Sequence, residues 1–220
     1  MLLSVVAFVS LDGVVQGPAA RDEDRSGGFT RGGWLVPHAS PALDAVVRTW
    51  MGQAGALLVG RNTFERMCEH WSEVADPGDA VVSVLTAGPV FVVSSTIPDD
   101  EVGATTTLIR GDPVAAVRAL REQPGGELQV HGSWRLTRTL HDAGLVDSYR
   151  LVQVPVVIGQ GKRLFEAGAV PALYRVDAAE SVLLERGAVA LTLRRERSAA
   201  SHPGRHAVTA ATPRHAVTGR

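Results

Sequence analysis

The sequence predicts an α/β fold: one domain with a mostly parallel central sheet, flanking helices and antiparallel strands at its C-terminal end. Three observations lead to this prediction. A chain of 220 residues fits one domain with a well-buried core. Short β-branched runs alternate with helical patterns up to Gly144, as in parallel α/β sheets. After Gly144, short strands follow one another through short turns, which is typical of antiparallel pairing.

Short runs rich in Val, Ile and Leu, bounded by Gly, Pro or polar residues, predict the strands. The first run starts the chain, and the second is apolar throughout, as expected of a buried strand. Strands are predicted, in order, at residues 2–9, 56–59, 90–94, 105–109, 127–131, 146–157, 172–178, 182–184 and 188–195.

Capping residues and apolar periodicity predict the helices. Proline directly follows the first and third N-caps, which is a favoured first-turn position. Glu65 lies three residues after the second N-cap, the capping-box spacing, and Gly144 is the stop signal of the fourth helix. The predicted N-cap residues are Ser40, Asn62, Asp112 and Ser133.

A Gly-rich and charged loop spans residues 16–34. It is unusually long for a compact domain, which makes it either functional or disordered. Its glycines would allow a lid whose Trp34 covers a substrate ring, so Trp34 is a candidate substrate-binding residue. The alternative is a surface loop with Trp34 packed into the core.

Composition and charge exclude several classes of partner. The formal net charge of −1 gives no reason to expect nucleic acid or an anionic membrane. The single cysteine, Cys68, cannot form an intramolecular disulfide, and we expect it to be a buried apolar residue. Neither a signal peptide nor a run long enough to cross a bilayer is apparent. A cytoplasmic protein with a small-molecule substrate is therefore expected, and homodimer formation is left open.

The last residues differ in composition from the rest of the chain. Residues 198–220 are Ala, Thr, Arg, His and Pro without apolar periodicity, and they predict a disordered tail after a domain of residues 1–197. A functional basic arm is the alternative. Truncation after Arg197 is expected to leave the melting temperature and cofactor affinity nearly unchanged, as thermal unfolding and titration would show. A drop of more than a few degrees would mean that the tail docks on the domain.

Several motifs of nucleotide and ester chemistry are absent. The glycines at 159 and 161 lack the third glycine of a G-x-G-x-x-G turn, and no P-loop or G-x-S-x-G elbow occurs. The histidines show no close-set ligand pattern, and one cysteine cannot build a thiolate zinc site. Classical Rossmann dehydrogenases, P-loop NTPases, serine esterases and zinc enzymes are therefore not indicated, and no metal site is predicted.

Polar residues and glycines follow three predicted strands at the points where they end. Ligands in open α/β sheets bind beyond the carboxyl ends of the strands. Helix N-termini there offer unpaired N–H groups that favour phosphate. Any one of the junctions alone could be an ordinary turn or cap, but three together predict a ligand site. They are Gly60-Arg61-Asn62-Thr63, Val93-Ser94-Ser95-Thr96 and His131-Gly132-Ser133-Trp134-Arg135.

Four segments carry a resemblance to a known family: SLDG at 10–13, LVGRNTFE at 58–65, Ser94-Ser95, and the run from HGSW to KRLF at 131–165. Over residues 1–197 the chain resembles the dihydrofolate reductase superfamily, and within it the riboflavin-biosynthesis reductase domain, the C-terminal half of a bifunctional deaminase-reductase. The resemblance implies a dihydrofolate-reductase-like single domain, NADPH as cofactor, and hydride transfer to a small nitrogen heterocycle. In the riboflavin branch the target is the ribosylamino group of a phosphorylated aminouracil, and in the folate branch it is a pterin ring.

The same resemblance implies roles for individual residues. The G-R-x-T element holds the cofactor phosphates, the paired serines lie near the 2′-phosphate, and Ser10 passes beside the nicotinamide. Gly132-Ser133 stands where the family has a Gly-Gly turn with a cis peptide, and the serine leaves the cis bond open. The implied cofactor-binding residues are Ser10, Gly60, Arg61, Thr63, Ser94, Ser95, Gly132, Ser133 and Trp134.

Two acids are the candidate catalytic residues. Asp44 stands where the resemblance implies the substrate carboxylate, on the helix before the G-R-x-T strand. The alternative is a first-turn acid that complements the helix dipole and pairs with Arg48. Asp12 either contacts the substrate or forms an Asx-type turn before Gly13. Two rival functions remain: a reductase with an unrelated substrate, and a nucleotide-binding protein that kept the cleft and lost the chemistry.

Overall fold

The computed structural model describes residues 1–74 and 88–196, with the side chains of 70–74 left out. The predicted tail lies outside the described residues. Within them, nine strands form one sheet in the order β4-β3-β2-β5-β1-β6-β9-β7, with β8 paired to β9. The strands are β1 Leu3–Ser10, β2 Ala54–Gly60, β3 Val90–Val93, β4 Thr106–Ile109, β5 Glu127–His131, β6 Ser148–Val154, β7 Tyr174–Val176, β8 Val182–Leu183 and β9 Val189–Arg195.

The predicted fold class is confirmed, with one correction at β6. All pairings among β1 to β6 are parallel, whereas β6, β7 and β8 pair with β9 in antiparallel register. We expected every strand after Gly144 to be antiparallel, but β6 runs parallel to β1 with Ser4 opposite Ser148. The reason is that a helix connects β5 to β6 and returns the chain to the amino end of the sheet.

Four helices flank the sheet in the described part of the chain: α1 Pro41–Met51, α2 Arg61–Val74, α3 Pro113–Glu122 and α4 Trp134–Asp142. The caps of α1 and α3 are confirmed, because Ser40 and Asp112 each accept a hydrogen bond from a first-turn N–H. The position of Ser133 at the N-cap of α4 is confirmed, but its side chain makes no capping hydrogen bond. The predicted start of α2 at Asn62 is wrong, because this helix begins at Arg61, whose guanidinium pairs with Glu65. None of these helices is long and apolar enough to cross a membrane.

The two faces of the sheet are buried by different elements. Val5 and Ala7 of β1 belong to a cluster that includes Leu136 and Leu140 of α4 and residues of α3. Val6, between them in sequence, joins a second cluster on the opposite face. That cluster also holds Phe29, Trp34, Leu43 and Trp50, so α1 and the long loop cover this face. The alternation follows from the two-residue period of a strand.

Cys68 is exposed on α2, contrary to the expectation that it is buried. Phe64 and Met67 of the same helix pack against the core. The next position along a helix points about 100° away, so Cys68 faces outward when Met67 faces inward.

Candidate functional site

β2 and β5 are neighbours in the sheet, and hydrogen bonds at their carboxyl ends link the predicted junctions at 60–63 and 131–135. The N–H of Gly60 donates to Ser133 Oγ at 2.8 Å, and Ser133 Oγ donates to Thr63 Oγ1 at 2.9 Å. The N–H of Ser133 also donates to Thr63 Oγ1, at 3.2 Å. Thr63 therefore accepts twice, which leaves its own proton available to an acceptor such as a phosphate oxygen. Serine at position 133 thus ties the start of α4 to the start of α2.

The backbone at Gly132 is one that only glycine adopts readily. Gly132 has φ of +55°, and Ser133, unusually for a non-glycine residue, has φ of +50°. A Cβ at Gly132 would lie 3.3 Å from Thr63 Oγ1 and 3.4 Å from its Cγ2. The Gly132–Ser133 peptide is trans. The turn is therefore narrow, and its exposed glycine leaves the backbone open to a ligand.

A groove of about 430 Å³ follows the ends of β3 and β4. Arg61 lines the groove, half exposed, and its guanidinium donates to Thr96 Oγ1 at 2.6 Å and to Glu65 at 2.6 Å. Arg110 also lines the groove and donates to the carbonyl of Ile97 at 2.6 Å and to Asp99 Oδ1 at 2.5 Å. Two guanidinium groups with exposed serine and threonine hydroxyls form a site suited to an anion such as a phosphate monoester. The groove is lined by Arg61, Val93, Ser94, Ser95, Thr96, Ile109, Arg110 and Gly111.

Arg110 was not among the predicted site residues. It directly follows β4, and Gly111 comes after it. This is the same pattern of strand, polar residue and glycine that identified the other junctions. The rule about carboxyl ends of parallel strands would have found it, had it been applied to β4.

The two predicted serines have different roles in the groove. Ser94 is buried, and its Oγ accepts hydrogen bonds from the N–H groups of Thr96 and Ile97, at 3.2 and 3.1 Å. This hydroxyl shapes the turn after β3. Ser95 is exposed and lines the groove, so its hydroxyl is the one accessible to a ligand.

Ser10 and Asp12 form a structural link at the end of β1. Ser10 is fully buried, and its Oγ accepts from the Val14 N–H and donates to Asp12 Oδ1 at 2.7 Å. The Asp12 carboxylate also accepts from the N–H groups of Ile158 and Gly159, at 2.9 and 2.8 Å. The Ser10 side chain is thus used internally, which contradicts a direct contact between its hydroxyl and a cofactor.

The hydrogen bonds at Asp12 also decide its charge. Burial raises the pKa of this carboxyl, but the donors from Ile158, Ser10 and Gly159 lower it more, to about 2. Asp12 is therefore ionised at neutral pH and has no proton to give. This contradicts a role as general acid and supports the turn-forming alternative.

Asp12→Asn is expected to destabilise the fold, because the amide places a donor against two backbone N–H groups. The carboxyl pKa is lower in the folded state than its ordinary value of 3.8. It therefore contributes stability above about pH 4, which is lost as the pH falls toward 2. The shift corresponds to about 2 kcal/mol. Urea unfolding at pH 7 and at pH 3 would measure it, and an equal pH dependence of mutant and wild type would contradict the assignment.

The loop at residues 16–34 is held against the turn at residues 158–163. Lys162 Nζ donates to Asp24 Oδ2 and to Ser26 Oγ, both at 2.6 Å. Phe29 packs on Gly161, where a Cβ would lie 2.8 Å from its ring. The Lys162 ammonium is thus paired with an acid of the loop and joins the loop to this turn.

Trp34 belongs to the core. It is 7% exposed, packs in the cluster under α1, and donates from Nε1 to the Gln16 carbonyl at 2.8 Å. This placement contradicts a lid role in which its ring covers a substrate. The sequence could not distinguish the two alternatives, because a tryptophan after a Gly-rich loop is common to both.

Trp134 and Asp44 both lie at the carboxyl side of the sheet. Trp134 is half buried at the start of α4, with the cations of Lys162 and Arg135 5.6 and 5.5 Å from its ring. Asp44 is exposed in the first turn of α1. The last turn of α1 contacts Gln129, the middle residue of β5, through the Trp50 carbonyl, and β2 begins at Ala54, three residues after α1 ends. The first turn of α1 therefore lies toward the carboxyl ends of the strands.

Comparison with known proteins agrees with this fold. The family model of the RibD C-terminal domain matches residues 2–190. A relative, the uncharacterized protein YyaP of Bacillus subtilis strain 168, is 28% identical over 118 residues, which span 53% of this chain and 62% of that protein. The match thus spans less than two thirds of that curated relative.

Solved structures share the architecture at low sequence identity. A candidate riboflavin biosynthesis protein from Shewanella sp. PV-4 superposes with a TM-score of 0.64 at 21% identity, covering 90% of this chain and 100% of that one. A pyrimidine reductase-like protein from Corynebacterium diphtheriae gives 0.58 at 13%, with 89% and 92% covered. RibD from Acinetobacter baumannii gives 0.59 at 14%, with 89% and 58% covered. The family match covers nearly the whole described chain: this chain belongs to the RibD C-terminal domain family.

Proposed function

We propose that this protein is an NADPH-dependent reductase that transfers hydride to a small nitrogen heterocycle or to its ribosylamino derivative, as in riboflavin biosynthesis. The observation that carries the proposal is that two arginines, Arg61 and Arg110, line one groove at the strand ends. The groove lies at the carboxyl ends of β3 and β4, the same end of the sheet as the Gly60–Ser133 junction. A dinucleotide with an additional phosphate matches such an elongated, strand-end site.

The residues present fit this cofactor. Arg61 and Arg110, each also paired with one carboxylate (Glu65 and Asp99), offer guanidinium donors to the 2′-phosphate, and Ser95 adds a hydroxyl. The first turn of α2 offers N–H groups and the positive end of the helix dipole to the pyrophosphate. Gly132 leaves space for close approach, and Thr63 has a proton to donate. When bound, the nicotinamide supplies the hydride, and the chain positions and orients it.

Arg61→Ala is expected to weaken NADPH binding by a factor of about ten to a hundred and to leave NADH binding little changed. The 2′-phosphate is the only difference between the two cofactors, and a charge-assisted contact contributes roughly 1.5–3 kcal/mol. Arg110→Ala is expected to act in the same direction. Titration of both cofactors into each variant measures the effect.

Arg118→Ala is the matched control, because this arginine is exposed on α3, away from the groove. It should change neither affinity. If Arg61→Ala weakens NADPH and NADH equally, Arg61 contacts the shared pyrophosphate, and phosphate selectivity is wrongly assigned.

A non-catalytic nucleotide-binding protein is the second candidate, and one observation favours it. Asp12 is bound internally and ionised, so it supplies no proton for the reduction. NADPH oxidation in the presence of aminouracils and pterins separates the two candidates. Turnover with an aminouracil supports the riboflavin branch, turnover with a pterin supports the folate branch, and tight NADPH binding without turnover supports the binding protein.

A further inference from the structure

His131 is placed between the core and the candidate site. It is the last residue of β5, opposite Val6 of β1, and it directly precedes Gly132. Val130 faces the cluster shared with α4, so His131 faces the other side of the sheet, which α1 covers. The side chain is half buried. No role assigned above uses it.

Two hydrogen bonds fix the orientation of the side-chain amide of Gln129, which lies two residues before His131 on the same strand. Gln129 Nε2 donates to the Trp50 carbonyl at 2.6 Å and to Glu127 Oε2 at 3.0 Å. A carbonyl and a carboxylate only accept, so the amide nitrogen must face them. Glu127 is committed as an acceptor, because it also pairs with Arg150 and accepts from Ser4. The oxygen of Gln129, Oε1, is therefore directed at His131.

This orientation fixes the tautomer of the imidazole. His131 Nε2 lies 3.0 Å from Gln129 Oε1, and an oxygen of this kind only accepts. Nε2 therefore carries the proton. Burial lowers the pKa of His131 to about 4, so the ring is neutral at pH 7. Nδ1 is left with a lone pair, and it has no hydrogen-bond partner among residues 1–69 and 88–196, whose side chains the structure describes.

We propose that Nδ1 of His131 accepts a hydrogen bond from an N–H group of the heterocyclic substrate and thereby selects for a donor at that position. The polar row Glu127–Gln129–His131 fixes Nδ1 as the acceptor nitrogen of the ring, and His131 directly precedes Gly132, where the proposed function places the cofactor. The inference rests on the proposed function, which locates the cofactor at Gly132. It names the substrate class further: a heterocycle with an amino or ring N–H directed at β5.

The selection follows from the cost of an unmatched acceptor. A substrate with a carbonyl oxygen at this position would face the Nδ1 lone pair without a proton between them. Sites built around a polar contact reject ligands that leave the contact unpaired, more strongly than apolar pockets reject size changes. The neutral ring cannot easily gain a proton to rescue such a ligand.

Two substitutions separate substrate recognition from structural support. In His131→Asn, the side-chain oxygen can occupy the position of Nδ1, which keeps the acceptor and loses the bond to Gln129. In His131→Gln, the amide reaches the position of Nε2, which keeps that bond and loses the acceptor. The probes are 5,6-diaminouracil and pterin, titrated in the presence of NADP⁺. Glutamine is expected to weaken the better-bound probe roughly tenfold or more, and asparagine to recover most of the loss.

The reverse order, with glutamine binding like wild type and asparagine weakened, would overturn the proposal and make His131 a structural residue. NADPH affinity, measured for each variant, keeps this outcome apart from the proposed function. Wild-type protein that fails to bind NADPH contradicts the proposed function. Normal NADPH binding with the reverse order of variants contradicts only the role of His131.

Nitrogen NMR of ¹⁵N-histidine-labelled protein provides a readout that needs no turnover. The free protein is expected to show one protonated and one unprotonated ring nitrogen for His131, identified by loss of the signals in His131→Asn. Saturation with a probe should shift the Nδ1 resonance, while Nε2 stays bonded to Gln129. An Nδ1 signal that carries the proton in the free protein, or one that neither probe shifts, would overturn the proposal.

Discussion

Gly132→Val is expected to abolish NADPH binding. The residue has φ of +55°, and a Cβ would lie 3.3 Å from the Thr63 hydroxyl that we place at the cofactor phosphates. A branched side chain would fill the space between β5 and α2 and would push Thr63 and Ser133 apart. The strained backbone also costs roughly 1–3 kcal/mol of stability. Titration with NADPH at a temperature well below the melting point measures the affinity.

Gly168→Val is the control for backbone strain. Gly168 also has a positive φ, of +87°, and a Cβ there meets no atom within 4 Å. The Gly168→Val variant should lose a similar amount of stability and should bind NADPH like the wild type. If Gly132→Val binds NADPH as well as Gly168→Val does, the turn at Gly132 is not at the cofactor cleft. The proposed function then rests on the arginine groove alone.

Asp44→Asn is expected to reduce turnover by about a hundredfold or more while NADPH affinity stays nearly constant. Loss of a positioned acid–base group typically has an effect of this size. Asp44 is exposed at the end of α1 nearest the strand ends, and Asp12 is already excluded as a proton donor. Steady-state kinetics with the best substrate of the aminouracil and pterin panel gives kcat, and titration gives the cofactor affinity.

The stability of the Asp44→Asn variant must be measured together with its turnover, because an acid in the first turn of a helix also interacts with the helix dipole. That interaction contributes about 0.3–1 kcal/mol and cannot account for a hundredfold loss of rate. Glu122→Gln is the matched control, an exposed acid at the last residue of α3. If Asp44→Asn turns over like wild type, Asp44 is only a helix-start acid.

The local elements were predictable because their causes are local. Ser40 and Asp112 begin helices because their oxygens reach an N–H two or three residues away. The alternation of buried residues along β1 follows from strand geometry. The three strand-end junctions were also predictable, and the structure brings Gly60, Thr63, Gly132 and Ser133 together as expected.

Predictions failed where one residue had two acceptable partners. Ser133 has the sequence signature of an N-cap, yet its hydroxyl bonds to Gly60 and Thr63, about seventy positions away. Asn62 has the same signature, but the ion pair of Arg61 with Glu65 accompanies an earlier helix start. Cap spacing cannot show which of two partners is nearer once the chain has folded.

The α/β class, the order of the elements, the strand-end junctions and the family resemblance could be predicted from the sequence, because each depends on residues close together in the chain. What lies opposite each side chain was established only by the folded structure. It put Trp34 in the core, bound Asp12 to the turn at residues 158–163, brought Arg110 and Arg61 to the same groove, and fixed the tautomer of His131 through Gln129. These are contacts between distant residues, and their energies depend on burial and direction, which spacing along the chain does not specify.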